Sequence, residues 1–136
     1  MTRKQFDRVV AEVMESLPVA FAPYLNNLVV DVEDQPSRRL LHDLGYSYEE
    51  IADGESIYGL FVPSEFDTGG DLGGVDEFDQ PPHRIIIYQR PLEEDFTNRD
   101  DLLTEIRKTV IHELAHHFGW TDRDLEKFDE NPNPFG

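Results

Sequence analysis

The chain has 136 residues, and its 29 acidic side chains against 12 basic ones give a net charge of −17 at pH 7. This length suits a single domain spanning residues 1–136, and a hydrophobic fraction of 38% is typical of a folded chain. The charge argues against nucleic acid and against an anionic membrane as partners, because basic patches recognise both. The acidity has three possible reasons, which the composition does not separate. They are solubility, adaptation to high intracellular salt and attraction of cationic substrates.

Cysteine is absent from the sequence, which excludes disulfide bonds and thiolate metal sites. Any metal must therefore be held by histidines and carboxylates. Residues 1–17 contain no apolar run of the signal-peptide type, and no stretch approaches the length of a membrane span. We therefore expect a cytoplasmic location.

The first half of the chain predicts two helical segments and two strands. Apolar residues at spacings of three and four predict an amphipathic helix over residues 2–17, which Pro18 ends. A short strand is expected over residues 27–32, one or two helical turns over residues 37–44, and a second strand over residues 57–62.

The middle of the chain combines an unusual loop with the clearest strand. Residues 63–83 carry four glycines, six acids and no base, which predicts a long acidic loop. Such a loop is either a lid over an active site or a plain surface excursion. Residues 84–89 then form the clearest strand, closed by Pro91, whereas the Asn- and Pro-rich tail at 129–136 is expected to be loose.

The strongest predicted helix follows this strand. Thr97 and Asp100 resemble a capping box, and from there the helix runs to about Phe118. Gly119 then stands where a left-handed glycine is expected to end a helix. The core-facing stripe of this helix consists of four apolar residues, Leu103, Ile106, Val110 and Leu114.

A metal-binding motif lies at the C-terminal end of this helix. His112 and His116 are four residues apart, so they lie on one face with Cβ atoms about 5–6 Å apart and can share one ion. Glu113 lies beside them as a candidate general base. Gly119 can reverse the chain so that Asp122 supplies the third ligand. Three protein ligands and one open position are typical of catalytic rather than structural zinc.

The plain alternative is a pair of surface histidines with a solvated glutamate between them. By chance, this spacing of His, Glu, His, Gly and Asp is expected in only about 1 in 10,000 chains of this composition. The same two histidines and one carboxylate also fit the iron site of an oxygenase, which remains a lesser alternative.

The pattern His-Glu-x-x-His-x-x-Gly-x-x-Asp, from His112 to Asp122, is similar to the extended metzincin motif with Asp in place of the third His. Together with residues 32–34, 58–63 and 84–92, it resembles the small bacterial zincin-like proteins identified as possible metallopeptidases. The resemblance covers about residues 5–128. It implies an α+β, minimal zincin-like fold: an N-terminal helix, a small mixed sheet of three to four strands and the active-site helix.

The same resemblance implies zinc (Zn²⁺) on His112, His116 and Asp122, with Glu113 as the catalytic residue. The implied activity is zinc-dependent hydrolysis of a peptide or protein substrate. Two departures from the related patterns matter: the methionine turn of metzincins is missing, and acidic residues replace a basic one after Pro63. These departures suggest basic peptides as substrates, and they keep open a non-catalytic zinc-binding or peptide-binding domain on the same scaffold.

Four further expectations concern residues outside the motif. His117 is expected to pack at the edge of the core or to support a ligand, and His42 and His83 are expected to be ordinary surface residues. If the strand 84–89 lies at a sheet edge, its backbone would bind substrate by strand addition. Tyr88 is then a candidate for stabilising the tetrahedral intermediate.

Overall fold

A computed structural model describes residues 1–64 and 82–119, which contain six helices and three short strands. A 3-10 turn at Val19–Phe21 precedes the second helix. The helices are α1 (Arg3–Ser16), α2 (Ala22–Leu25), α3 (Arg38–Asp43), α4 (Tyr48–Ala52), α5 (Gln89–Asp95) and α6 (Arg99–Phe118), and the strands are β1 (Leu28–Glu33), β2 (Gly59–Val62) and β3 (His83–Tyr88).

Helix α1 confirms the amphipathic pattern at the start of the chain. Its first turn is closed by a capping box, in which the Thr2 hydroxyl accepts from the Gln5 backbone and the Gln5 side chain accepts from the Thr2 backbone. Its apolar face packs against α6, which joins the two ends of the described chain. The buried residues of α1 are Phe6, Val9, Val10 and Val13.

The three strands form one mixed sheet with the order β1-β3-β2. Strand β1 runs parallel to β3, with Leu28 opposite His83, and β2 runs antiparallel to β3, with Phe61 opposite Ile85. The condition for strand addition at residues 84–89, a position at the sheet edge, is therefore not met, because β3 is the central strand of the described sheet. Its consecutive apolar residues are buried on both faces of the sheet, which explains why the strand does not alternate with polar residues.

The two faces of the sheet have different neighbours. Ile85 and Ile87 are fully buried in the main core with α1 and α6. Alternation of side chains along a strand turns Ile86 and Tyr88 to the opposite face. They are only 8% and 2% exposed there, so the second face is also largely covered.

Helix α6 has the predicted end but not the predicted start. Asn98 is its N-cap, because its side chain accepts from the backbone N–H groups of Asp100 at 2.8 Å and Asp101 at 3.4 Å. The prediction of Thr97 as the cap is wrong by one residue, and asparagine is among the preferred N-cap residues. Gly119 ends the helix in the left-handed conformation, with φ of 70°, as expected.

Three short helices, α2, α4 and α5, lie where the sequence pattern predicted none. Helix α4 begins with a capping box between Ser47 and Glu50. Helix α5 follows β3 directly, so Pro91 belongs to the first turn of a helix instead of closing the strand. Proline is tolerated there because first-turn N–H groups have no partner within the helix.

The architecture is α+β with a small mixed sheet, as predicted. None of the helices in the described ranges is long and apolar enough to cross a membrane. Most of the predicted acidic loop at 63–83 and the whole tail at 129–136 lie outside the described residues. The extent of a single domain over residues 1–136 stays a prediction.

Candidate active site

The C-terminal half of α6 has one exposed face, which carries the two histidines of the predicted motif, and one buried face. His112 and His116 are both exposed, whereas Ile111 and Leu114 are buried in the core. Glu113 is intermediate in exposure, so it lies at the boundary between the two sides. The helix therefore fixes two imidazoles one turn apart with a carboxylate beside them.

Strand β2 holds the carboxylate of Glu113. The Phe61 backbone N–H donates a hydrogen bond of 3.1 Å to Oε2 of Glu113. The ladder with β3 does not use this N–H: Tyr88 N–H donates to the Tyr58 carbonyl, so the hydrogen-bonded pairs fall on residues 58, 60 and 62 of this strand. The amide of Phe61 therefore points to the outer edge of β2, where it meets α6.

Gly59 allows this close approach between β2 and α6. A Cβ added at Gly59 would lie 2.5 Å from Cγ2 of Thr109 and 3.2 Å from the carbonyl oxygen of Ile86. Only a residue without a side chain fits between the helix and the neighbouring strand. A glycine inside a strand often marks such a close approach, so the sequence carried a signal for this contact.

Three neighbours and partial burial set the electrostatics of Glu113. Burial raises the pKa of its carboxyl group, and the Phe61 amide and the imidazoles of His116 and His112 act in the opposite direction. Both imidazoles are thus close enough to Glu113 to interact with its charge. A carboxylate with a raised pKa beside two exposed imidazoles can accept a proton from a bound water.

An aromatic cluster packs beside the motif. His117 stacks on Phe61 with ring centroids 4.1 Å apart, and the His83 ring lies 4.9 Å from that of His117. Nδ1 of His83 accepts from the Ser64 backbone N–H at 3.0 Å. Packing was one of the two roles expected for His117, whereas His83 joins β3 to the end of β2 instead of standing alone on the surface. His42 lies apart on α3, where its ring packs against Tyr48.

The metal-ligand set is only partly inside the described residues. Two imidazoles one turn apart suit zinc, and a third protein ligand would complete the site. Within residues 1–64 and 82–119, no three His, Asp or Glu side chains gather in a way that would hold a metal ion. Asp122 lies outside the described residues, so its role as the third ligand stays a prediction.

Tyr88 does not face the motif. It alternates with Ile87, which lies in the core beneath α6, so its side chain is on the opposite face of the sheet. The expectation that Tyr88 stabilises the tetrahedral intermediate is therefore wrong. The register of β3 decides its orientation, and sequence spacing alone did not fix that register.

The two described cavities also lie away from the motif. Their volumes are about 800 Å³ and about 410 Å³, and their lining includes none of His112, Glu113 and His116. Proximity to the histidine pair, not cavity size, therefore identifies the candidate active site.

An exposed His-Glu-x-x-His helix beside the edge strand of a small mixed sheet is the arrangement expected of a zincin-like fold. The profile of the zincin-like metallopeptidase family matches residues 25–131 of this chain. The chain belongs to the zincin-like metallopeptidase family. No curated protein matches the sequence. Zinc binding is a general property that membership of this family implies.

Proposed function

We propose that this protein is a zinc-dependent peptidase, with the metal held by His112, His116 and Asp122 and with Glu113 as general base. One observation carries the proposal. The Glu113 carboxylate is held by the Phe61 amide next to both exposed imidazoles. This hydrogen bond fixes one carboxylate oxygen beside the histidine pair, as is needed in a group that takes a proton from a metal-bound water.

When bound, zinc supplies Lewis-acid chemistry: it polarises the scissile carbonyl and lowers the pKa of a water molecule. The task of Glu113 is to accept a proton from the attacking water and to deliver it to the leaving amine. The Phe61 amide occupies only one carboxylate oxygen, Oε2. No hydrogen bond to Oε1 is made within residues 1–64 and 82–119, so Oε1 is the oxygen that would receive the proton.

The outer edge of β2 is the proposed place for a peptide. β2 pairs with β3 on one side, and no strand within the described ranges pairs with its other side. The Phe61 N–H already donates to Glu113, so the Phe61 carbonyl on the same edge is the group that would accept a hydrogen bond from an extended peptide. The net charge of −17 favours basic peptides over acidic ones.

A non-catalytic zinc-binding or peptide-binding domain on the same scaffold is the competing function. It shares the histidines and the strand edge, and it differs in having no turnover. In both cases the partner is a peptide or protein, without nucleic acid or membrane, and the proposed compartment is the cytoplasm. The high negative charge supports the exclusion of polyanionic partners.

Elemental analysis of the purified protein tests the ligand set. We expect one zinc per chain in the wild type and strong loss of zinc in His112→Ala, His116→Ala and Asp122→Ala. His42→Ala is the matched control, because His42 packs on Tyr48 in another helix and should leave the zinc content unchanged. Full zinc content in Asp122→Ala would overturn the third ligand, and iron in place of zinc would favour the oxygenase alternative.

A further inference from the structure

The face of the sheet that turns away from α6 carries a cavity of about 410 Å³. Cavities of about 300–1,000 Å³ are typical of small-molecule sites. Strands β2 and β3 form its floor, and the chain from the end of β1 into α3 forms its wall. Residues from both parts line it, and those that bear on the argument are Glu33, Arg38, Leu40, Leu60, Ile86 and Tyr88.

Tyr88 brings the hydroxyl group of a largely buried side chain to this cavity. The residue is only 2% exposed, and its hydroxyl has no hydrogen-bond partner among the residues that the structure describes. Burial, together with the Glu33 carboxylate, raises the pKa of Tyr88, so the phenol stays protonated and can donate. The hydroxyl is not among the buried atoms without a partner in the described residues, so it opens to the cavity, from which a hydrogen-bonding ligand can arrive.

Two charged side chains stand at the opening. Arg38 and Glu33 are both exposed and both line the cavity. Arg84 and Arg90 form ion pairs with Asp31 and Asp34, with N–O distances of 2.5 Å and 2.9 Å. In the same described ranges no carboxylate pairs with Arg38, so its guanidinium is available to an incoming carboxylate.

We propose that this cavity binds the C-terminal apolar residue of a peptide, or a free acyl amino acid of the same chemistry. Arg38 would bind the carboxylate, and Glu33 would accept the neighbouring amide N–H. Leu60 and Ile86 would contact an aliphatic side chain, and the Tyr88 hydroxyl would donate to an oxygen of the ligand. The site lies across the sheet from His112 and His116, so binding there does not depend on zinc or on peptidase activity.

Fluorine NMR of the full chain labelled with 3-fluorotyrosine tests the proposal. The five tyrosines give five signals, which single Tyr→Phe variants assign. N-acetyl-leucine should shift the Tyr88 signal in a saturable way, with a dissociation constant of about 1 mM or tighter. N-acetyl-leucinamide has the same shape without the carboxylate, and it should bind at least about fivefold more weakly.

The neighbouring arginines supply a matched pair of variants. Arg38→Gln should abolish the preference for the acid over the amide, whereas Arg39→Gln should keep it, because Arg39 does not line the cavity. Tighter binding of the peptide Ala-Ala-Leu than of N-acetyl-leucine would identify a peptide C-terminus as the source, and the reverse would identify a free acyl amino acid. An unshifted Tyr88 signal, or equal binding of acid and amide to the wild type, would overturn the proposal.

Discussion

Gly59 and Thr109 lie so close together that an added Cβ on the glycine would fall 2.5 Å from Cγ2 of the threonine. This contact is where the edge strand β2 meets the active-site helix α6. Two residues further along β2, the Phe61 amide meets the Glu113 carboxylate at 3.1 Å. The contact at Gly59 therefore sets the distance between β2 and α6, and with it the distance between the Phe61 amide and the Glu113 carboxylate.

Gly59→Ala should destabilise the protein by about 1–3 kcal/mol, the usual cost of overpacking a well-filled site. Thr109→Ser removes the clashing methyl group and keeps the hydroxyl that donates to the Glu105 carbonyl at 2.8 Å. The double variant should therefore regain part of the lost stability, with the Ile86 carbonyl, 3.2 Å away, preventing full rescue. Thermal melts of the four proteins measure the coupling, and purely additive effects would contradict the contact.

Phe61→Pro tests whether the backbone of β2 orients Glu113. Proline removes the N–H that Glu113 accepts, at a position whose N–H the sheet ladder does not use. We expect kcat for peptide hydrolysis to fall about 10–100-fold, the usual effect of losing a group that orients a catalytic ligand.

Phe61→Leu is the control for this variant, because it also loses the ring that stacks on His117 but keeps the amide. It should retain most of the activity. Equal activity of folded Phe61→Pro and Phe61→Leu would mean that the amide does not matter, and circular dichroism confirms that both variants fold.

Tyr58 gives a prediction on alkaline stability. Burial and the hydrogen bond from its hydroxyl to Asp95 raise the pKa of Tyr58 to about 12. An unfolded tyrosine has a pKa of about 10, so folding favours the neutral phenol. This stabilisation is complete below pH ~10 and disappears as the pH rises to about 12.

Tyr58→Phe should accordingly flatten the loss of stability between pH ~10 and pH ~12, and it should cost about 1 kcal/mol at neutral pH. Tyr48→Phe is the control, because Tyr48 is 77% exposed and should leave the profile unchanged. Urea unfolding at a series of pH values measures both. Identical alkaline profiles for the wild type and Tyr58→Phe would contradict the assignment.

Two single alanine substitutions, at neighbouring residues, test which residue caps the start of α6. Asn98→Ala removes the side chain that accepts from the Asp100 and Asp101 backbones, and it should cost about 1 kcal/mol. Thr97→Ala should cost much less, since Thr97 lies outside the cap. A larger loss of melting temperature for Thr97→Ala would restore the assignment that the sequence pattern favoured.

The sequence predicted those features whose signals are local. Helix α1 follows from the spacing of Phe6, Val9 and Val13, and the face of α6 that carries His112 and His116 follows from helical periodicity. Each needs only a few consecutive residues. The α+β architecture followed from the family resemblance that these segments carry.

Contacts between residues far apart in the sequence could not be predicted from such local signals. The contact of Phe61 with Glu113 joins residues 52 positions apart, and it depends on which strand lies at the sheet edge. The orientation of Tyr88 depends on strand register, since a slip of one residue turns a side chain to the other face. Pro91 was misread because proline ends strands and also fits the first turn of a helix.

Hydrolysis of a basic peptide library by zinc-loaded wild type and Glu113→Gln tests the central claim most directly. The substitution keeps the side-chain shape and the acceptor for the Phe61 amide, but it removes the base. We predict that both proteins hold one zinc per chain, that the wild type cleaves peptides, and that Glu113→Gln is slower by a factor of at least about 10²–10⁴. Equal cleavage by the two proteins, or a zinc-loaded wild type that cleaves nothing, would contradict the account.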